Sequence, residues 1–190
     1  NVIVVMTDDQ GYPELSVHGN PVLQTPHLDS LHDESLRLTD YHVAPMCTPT
    51  RGQLLTGIDA ARNGAINVSS GRALLRPEIP TIANYFGDAG YATGVFGKWH
   101  LGREPYTPLE HGFDVDIPHW YGPGPAGSYV APWKFPDFKE NYPQEHIEDR
   151  MADEAVQWLR TVDKEKPFFM NYWQFSVHAP FNAKESLIEY

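Results

Sequence analysis

The chain has 190 residues, of which 41% are hydrophobic, so it is long enough to bury one sizeable core and falls within the usual size of a single domain. Its 14 Lys and Arg residues against 25 Asp and Glu residues give a formal net charge of -11, which argues against nucleic acid or an anionic lipid surface as a partner. The single cysteine, Cys47, excludes an intrachain disulfide and leaves a buried apolar residue, a free thiol or a catalytic precursor as alternatives.

The first half of the chain opens with strand and helix signals. Residues 2–6 form a continuous, mostly β-branched run, which predicts a central parallel strand covered on both faces. A Thr-Pro pair at residues 25–26 is typical of a helix start and predicts a helix that runs to about residue 39.

The second half continues this alternation. It predicts, in order, a helix over residues 81–89, a strand over 91–96, an irregular surface segment over 120–142, an amphipathic helix over 147–162 and an apolar run over 168–177. Alternating strands and helices favour an α/β fold with a mainly parallel sheet and flanking helices. No internal repeat or domain boundary is evident, so we expect one folded unit.

The ends of the chain carry their own signals. Asn1 already lies inside an apolar run, and residues 184–190 indicate the opening of a new segment without a terminator. We therefore expect the chain to be cut at both ends, with any signal peptide outside it. No apolar stretch approaches the roughly 20 residues of a membrane-spanning helix.

Two adjacent carboxylates, Asp8 and Asp9, follow the first predicted strand. Open α/β sheets place ligand sites at the carboxyl ends of their strands. Carboxylate oxygens are hard ligands that suit Ca²⁺ or Mg²⁺. The pair therefore indicates a metal site, and the alternative is a solvated acidic turn.

Cys47 lies at a predicted helix start. Pro49 supplies the start signal and Gly57 a stop, so a short helix should begin directly after Cys47. Free N–H groups and the helix dipole favour an anion at such a position, and they acidify a thiol. Arg51, one turn into the helix, would bring a guanidinium to the same anion. A structural core cysteine is the alternative, although its polar neighbours do not favour it.

Two further strand ends carry polar residues. Lys98 and His100 follow the strand predicted over residues 91–96, and in an extended segment they point to one side. His178 ends the last apolar run. Three strand ends would thus direct polar side chains toward one rim of the sheet. An exposed lysine beside a hydrogen-bonded histidine is the alternative.

The remaining histidines show no zinc-type spacing, and we expect them to be surface or core residues with satisfied hydrogen bonds. They are His18, His27, His32, His42, His111, His119 and His146. The aromatic residues Trp120, Tyr121, Tyr129 and Trp133 would either line a sugar or aryl pocket or pin the irregular segment down.

Six motifs, in order along nearly the whole chain, resemble the type I sulfatase family of the alkaline-phosphatase-like superfamily. The segment CTPTRGQLLTG at residues 47–57 resembles the family's first signature, and GYATGVFGKWHLG at residues 90–102 resembles the second. The other four motifs lie at residues 7–12, 25–29, 111–114 and 178–180. The resemblance implies that the chain is the N-terminal part of an alkaline-phosphatase-like catalytic domain.

The resemblance implies a modified nucleophile and a metal. Cys47 would be oxidised by a formylglycine-generating enzyme to formylglycine, whose hydrated form attacks the sulfur of an organic sulfate monoester. Asp8, Asp9 and residue 47 would bind Ca²⁺, with Mg²⁺ as the other candidate ion. The partner molecule would be a sulfated small molecule or carbohydrate.

The resemblance also assigns four supporting roles. Arg51 would hold the modified residue and offset charge. Lys98 and His178 would contact sulfate oxygens, with His178 near the leaving oxygen. His100 would bond the second hydroxyl, which later loses its proton as sulfate leaves. Cations gathered around developing negative charge agree with this chemistry.

The sequence departs from the family pattern in two places. Thr50 stands where serine is commonest in the first signature. The family's remaining metal ligands, an Asp and an Asn, and its second sulfate-binding lysine have no counterpart before Tyr190. We therefore expect residues 1–190 to be truncated before the remaining ligands, and inactive alone.

Two alternatives to a sulfatase stay open. One is a phosphonate or phosphate monoester hydrolase of the same superfamily, since tetrahedral anions of similar size suit the same cations. The other is a non-catalytic anion- or sugar-binding relative in which Cys47 remains a thiol. Many relatives are exported, and an acidic chain without a disulfide is compatible with a periplasmic or secreted location.

Overall fold

A computed structural model describes residues 1–69 and 71–188 of the chain. The strands are β1 (Val2–Met6), β2 (Ala92–Gly97), β3 (Val115–Ile117) and β4 (Phe168–Trp173). The helices are α1 (Pro26–Asp33), α2 (Cys47–Thr56), α3 (Ala60–Asn63), α4 (Ile82–Asp88), α5 (Ile147–Thr161) and α6 (Glu185–Ile188), with short 3₁₀ turns at Ser16–His18 and Pro108–His111.

The four strands form one parallel sheet in the order β1-β4-β2-β3. The α/β, mainly parallel fold expected from the sequence is therefore confirmed. Met6 of β1, Trp173 of β4 and Gly97 of β2 are in register at the carboxyl ends of their strands. The segments that follow these three residues consequently leave the sheet at the same edge.

Helices cover the two faces of the sheet. On one face, Val95 and Phe169 pack in a buried cluster with Leu55 of α2 and Ala83 of α4. On the other face, Ala155 of α5 packs with strand residues. Helix α5 buries residues at four-residue spacing, which places them along one side of the helix.

Within the described residues, the first strand is not central, in contrast to the prediction. β1 lies at the edge of the sheet described here, and Val5 is 61% exposed. A β-branched run favours a strand, but its burial depends on which neighbours cover it. Within the described residues, β1 pairs with β4 alone.

Two other boundaries differ from expectation. Helix α1 ends at Asp33, not near residue 39; the helix buries none of its residues, and Leu36 beyond it is 88% exposed. Helix α1 therefore gains no packing that would extend it beyond Asp33. Strand β4 ends at Trp173, where the chain turns toward the site, although the apolar run continues to Val177.

The segment over residues 120–142 contains no helix or strand, as expected, but it is not a surface excursion. Tyr129, Trp133 and Phe135 are buried with Met151 of α5 and Phe175 in one apolar cluster. Side chains with large apolar areas thus hold an irregular backbone against the domain. Tyr129 and Trp133 pin this segment in place, which was one of the two expected roles for its aromatic residues.

Candidate active site

The centre of the site is a buried carboxylate with two cations. Asp8 follows β1 and its side chain is only 3% exposed. Lys98 Nζ donates to Asp8 Oδ2, and Arg51 Nη2 lies 3.5 Å from Asp8 Oδ1. Lys98 and Arg51 are themselves fully buried. Three separate segments of the sequence therefore meet in one charge cluster.

A glycine makes this meeting sterically possible. Gly97 ends β2 with a φ of 108°, and a Cβ added there would lie 1.9 Å from the carbonyl oxygen of Trp173. The next N–H, that of Lys98, donates to the same carbonyl at 2.7 Å. Only glycine permits this close approach, which turns the chain so that Lys98 reaches Asp8.

Cys47 is the first residue of α2, as the sequence predicted. The residue before it, Met46, provides no side-chain cap, so N–H groups of the first turn are left for another acceptor. Thr50 bonds the carbonyl oxygens of Ala44 and Met46 at 2.9 Å each and fixes the entry into the helix. Cys47 itself is half-buried.

His100 approaches Cys47 directly. Its Nδ1 lies 3.2 Å from Cys47 Sγ, and Thr48 Oγ1 donates to the His100 carbonyl at 3.0 Å. The φ of His100 is 54°, a left-handed conformation that is uncommon for residues with a side chain and concentrated at functional sites. Burial, then the charges of Lys98 and Arg51, lower the pKa of His100 to about 3. The imidazole is thus neutral at pH 7, and its unprotonated nitrogen can accept a hydrogen bond.

Arg51 has hydrogen-bonding capacity left over. Its Nη1 donates to the Lys98 carbonyl at 2.7 Å, and its guanidinium lies 5.0 Å from the ring centroid of Trp173. Nε is buried without a hydrogen-bond acceptor in the part of the chain described, and Nη2 has the Asp8 carboxylate 3.5 Å away. Burial lowers the pKa of Arg51, but a guanidinium stays protonated at neutral pH. The guanidinium therefore has a donor left that suits an oxygen-rich anion.

Lys98 is paired with Asp8 in the buried cluster. Burial, followed by the neighbouring Arg51, lowers the pKa of Lys98, and the Asp8 carboxylate offsets part of this shift. Asp8 therefore favours the protonated ammonium that contact with an anion requires.

His178 and Asp9 lie at the rim of the cluster. His178 Nε2 is 3.8 Å from Asp9 Oδ2, and the Asp9 side chain is 62% exposed. The φ of Asp9 is 59°, a second left-handed residue at this site. The site residues expected from the sequence thus lie together, in an inner group of Asp8, Cys47, Arg51, Lys98 and His100 and an outer pair of Asp9 and His178.

A cavity of about 760 Å³ adjoins the cluster, between the end of β1 and the start of α2. Asp8, Asp9, Cys47 and Arg51 are among the residues that line it. A space of this size is typical of small-molecule sites. A ligand within it would meet the thiol, the carboxylates and the guanidinium.

The donor set fits a hard cation in part. Asp8 and Asp9 offer carboxylate oxygens of the kind that Ca²⁺ and Mg²⁺ prefer. Across residues 1–69 and 71–188, however, no three His, Cys, Asp or Glu side chains are grouped closely enough to hold a metal ion. Ca²⁺ takes 6–8 oxygens, so these two carboxylates would supply only part of its coordination shell.

Residues outside the six motifs also shape the site. Trp173 at the end of β4 stacks on Arg51, and its neighbour Gln174 continues the ladder by donating to the Met6 carbonyl at 2.9 Å. The sequence signal that could have identified Trp173 and Gln174 was their position at the end of a strand. Among the histidines left aside, His111 is buried, with Nδ1 2.8 Å from the Thr107 carbonyl, as expected of a satisfied core residue.

None of the helices in the described residues has the length and apolar character needed to cross a membrane.

The chain is similar to known proteins in sequence and in fold. The family model described as Sulfatase matches residues 1–190. The N-acetylgalactosamine-6-sulfatase of Rattus norvegicus is 31% identical over 221 residues, which cover 99% of this chain and 41% of that protein. The chain therefore spans about two-fifths of that relative's length.

Two solved structures share the fold. One, determined in complex with its substrate D-glucosamine-2-N,6-O-disulfate, has a TM-score of 0.77 at 30% identity and covers 94% of this chain and 34% of that chain. The phosphonate monoester hydrolase of Agrobacterium radiobacter has a TM-score of 0.66 at 20% identity and covers 97% of this chain and 42% of that chain. At 20% identity the likeness shows the fold alone.

Proposed function

The chain belongs to the sulfatase family, with the α/β fold of the alkaline-phosphatase-like superfamily, and from that premise we propose that the whole protein hydrolyses organic sulfate monoesters. The observation that carries the proposal is the convergence of Arg51, Lys98 and His100 on Cys47 and Asp8. A sulfate monoester is an anion, and its cleavage needs cations, a nucleophile and a group that moves protons. The cluster offers each of these.

We assign the nucleophile to residue 47 after conversion of Cys47 to formylglycine. His100 supports this assignment because its neutral imidazole lies 3.2 Å from Sγ, within reach of a polar atom at that position. A neutral imidazole accepts a hydrogen bond from a hydroxyl group, and we assign His100 to the second hydroxyl of the hydrated formylglycine. A formylglycine-generating enzyme would be the partner during maturation.

The cations would neutralise the sulfate group. Arg51 retains a buried donor, Nε, without an acceptor in the described residues, and the Lys98 ammonium is paired with Asp8. Both charges are buried, so they act on an anion through a medium that screens them far less than water. We place His178 on the side of the leaving oxygen, because it lies at the rim, beyond Asp8 and next to the half-exposed Asp9.

We further propose that Asp8, Asp9 and residue 47 contribute to a Ca²⁺ site, with Mg²⁺ as the other candidate ion. When bound, such an ion would polarise an oxygen atom of the ester and add positive charge. The remaining ligands would come from a part of the protein outside these 190 residues. Asp8 would then be shared between the ion and its two buried cationic partners.

The substrate class we favour is a sulfated carbohydrate. The rat relative is named for a sulfatase of N-acetylgalactosamine, and the solved neighbour was determined with a disulfated glucosamine as its substrate. We also propose a periplasmic or secreted location, because sulfated polysaccharides are too large to cross a membrane unaided.

The decisive test compares matched esters. The full-length protein, matured with a formylglycine-generating enzyme, should cleave 4-nitrophenyl sulfate with a higher kcat/KM than 4-nitrophenyl phosphate. Phosphate and phosphonate monoesters are the alternative substrate class, since the phosphonate monoester hydrolase shares the fold of this chain. If phosphate or phosphonate turnover exceeds sulfate turnover by a wide margin, the sulfatase assignment fails.

A further inference from the structure

The loop that carries His178 is held on both sides. It begins after β4, and its central residue, Ser176, lies between the end of β1 and the start of α5. On the side of the site, Asp8 N–H donates to the Ser176 carbonyl at 2.7 Å, and Val177 N–H donates to the Asp8 carbonyl at 2.6 Å. These two hydrogen bonds link the backbone of Asp8 to the loop that ends at His178.

On the side away from the site, a single carboxylate oxygen holds the same residue. Glu148 lies in the first turn of α5, and its Oε1 accepts from Ser176 N–H at 2.8 Å and from Ser176 Oγ at 2.9 Å. Hydrogen bonds to an ionised acceptor are stronger than those between neutral groups. Burial raises the pKa of Glu148 above its usual value, and the bonds from Ser176 offset part of that rise.

Glu148 has no cationic partner in the described residues that would explain a carboxylate here. Its Oε2 is buried without a hydrogen bond in the described part of the chain, and no Lys or Arg pairs with it there. Burying a carboxylate oxygen without a hydrogen bond costs free energy, so the presence of Glu148 here needs an explanation. The contacts that it makes are with the backbone of Phe175 and Ser176 and with the Ser176 hydroxyl.

A tyrosine holds the two flanks of Ser176. The hydroxyl of Tyr129 is shared between the carbonyl oxygens of Phe175 at 2.5 Å and His178 at 2.8 Å. Tyr129 is buried, and its own carbonyl accepts from Ile147 N–H at 2.8 Å, at the start of α5. The start of α5 is thus connected to the loop at three points: Phe175, Ser176 and His178.

We infer that Glu148 is a positioning residue of the active site, which holds Ser176 so that Asp8 and His178 keep a fixed spacing. Tyr129 assists by fixing the carbonyl oxygens on either side. The inference rests on the proposed function, because it assigns His178 and Asp8 to one reaction. Glu148 itself touches neither substrate nor metal in this account.

The first test measures the loop and needs no turnover. Hydrogen–deuterium exchange of the full-length protein should show faster exchange at the Asp8 and Val177 amides in Glu148→Ala than in wild type. Glu148→Gln keeps an acceptor oxygen and should leave exchange near the wild-type rate. The matched control is Glu154→Ala on the same helix, which loses a partly buried ion pair with Arg150 away from Ser176 and should change neither amide. Unchanged exchange in Glu148→Ala overturns the inference whatever the activity.

The second test measures the reaction. With 4-nitrophenyl sulfate, Glu148→Ala should lower kcat about 10- to 100-fold, the usual cost of a displacement on the order of 1 Å, and change KM by less than about 3-fold. Glu148→Gln should retain kcat within about 3-fold, because it restores the acceptor. Tyr129→Phe, which keeps the buried ring, should also lower kcat. This variant replaces Glu148→Ala in the test if Glu148→Ala does not fold.

These outcomes separate the two proposals. Wild-type kcat per folded molecule in Glu148→Ala, or in Tyr129→Phe if that variant is needed, contradicts a positioning role. A loss of kcat in Glu148→Gln equal to that in Glu148→Ala also contradicts it, since the acceptor would then be irrelevant. If the wild-type protein cleaves no sulfate ester, the proposed function fails, and the exchange experiment still decides whether Glu148 holds the loop.

Discussion

Replacing Lys98 by methionine probes the buried charge cluster most sharply. Lys98 is fully buried and donates to Asp8, so Lys98→Met keeps most of the side-chain volume and removes the charge. Breaking a buried ion pair by removing one partner typically costs about 3–5 kcal/mol, because the other charge is left uncompensated. Arg51 remains 3.5 Å from Asp8, so we expect the lower end, about 3 kcal/mol.

The same change should affect turnover. Removing one preorganised group that stabilises developing charge usually lowers kcat by about 10²–10³-fold. We expect a loss of that size with 4-nitrophenyl sulfate, after correction for the folded fraction. Stability is measured by chemical denaturation of the full-length protein, followed by tryptophan fluorescence, with turnover assayed on the same preparations.

Lys166→Met is the matched control for Lys98→Met. Lys166 is exposed in the turn before β4, so its replacement should change the free energy of unfolding by less than about 0.5 kcal/mol and leave kcat unchanged. If Lys98→Met is as stable and as active as Lys166→Met, then Lys98 neither compensates the buried charge of Asp8 nor contributes to turnover.

Three further predictions concern the nucleophile, the strand end and the metal. Cys47→Ala should abolish sulfate turnover while changing the free energy of unfolding by less than about 1 kcal/mol, since the side chain is only half-buried; retained turnover would contradict the assigned nucleophile. Gly97→Ala should destabilise the protein by at least about 2 kcal/mol because of the overlap with the Trp173 carbonyl, whereas Gly87→Ala, with open space around its Cβ, should be neutral or stabilising in a thermal melt; equal melting temperatures would contradict this. Calcium titration of the isolated 190-residue chain should show binding weaker than micromolar, because Asp8 and Asp9 supply too few oxygens, and micromolar affinity would show that its coordination shell is already complete.

Strong local signals in the sequence predicted the helices and strands well. The helix start at Cys47 followed from Pro49 and the stop at Gly57, and the structure has α2 over Cys47–Thr56. Where no stop signal existed, prediction failed: helix α1 ends at Asp33 because nothing packs on its next turn. The edge position of β1 could not be predicted, since it depends on strand order.

The site was more predictable than the packing around it. Parallel strands end at one edge of a sheet, so polar residues after β1, β2 and β4 were expected to meet, and Asp8, Lys98 and His178 lie there. The partners were not predictable, because they depend on tertiary structure. The bond from Ser176 to Glu148 joins residues 28 positions apart through the packing of α5, which no local pattern encodes. The burial of residues 120–142 escaped prediction for the same reason.

The chemical state of residue 47 decides whether this protein has a formylglycine nucleophile. Mass spectrometry of the peptide containing residue 47, from protein produced with a formylglycine-generating enzyme, should show the aldehyde in place of the thiol. Thr50 stands where the signature most often has serine, so the converted fraction also measures whether that threonine is accepted. An intact Cys47 thiol throughout would contradict the proposed nucleophile and favour a non-catalytic anion- or sugar-binding protein.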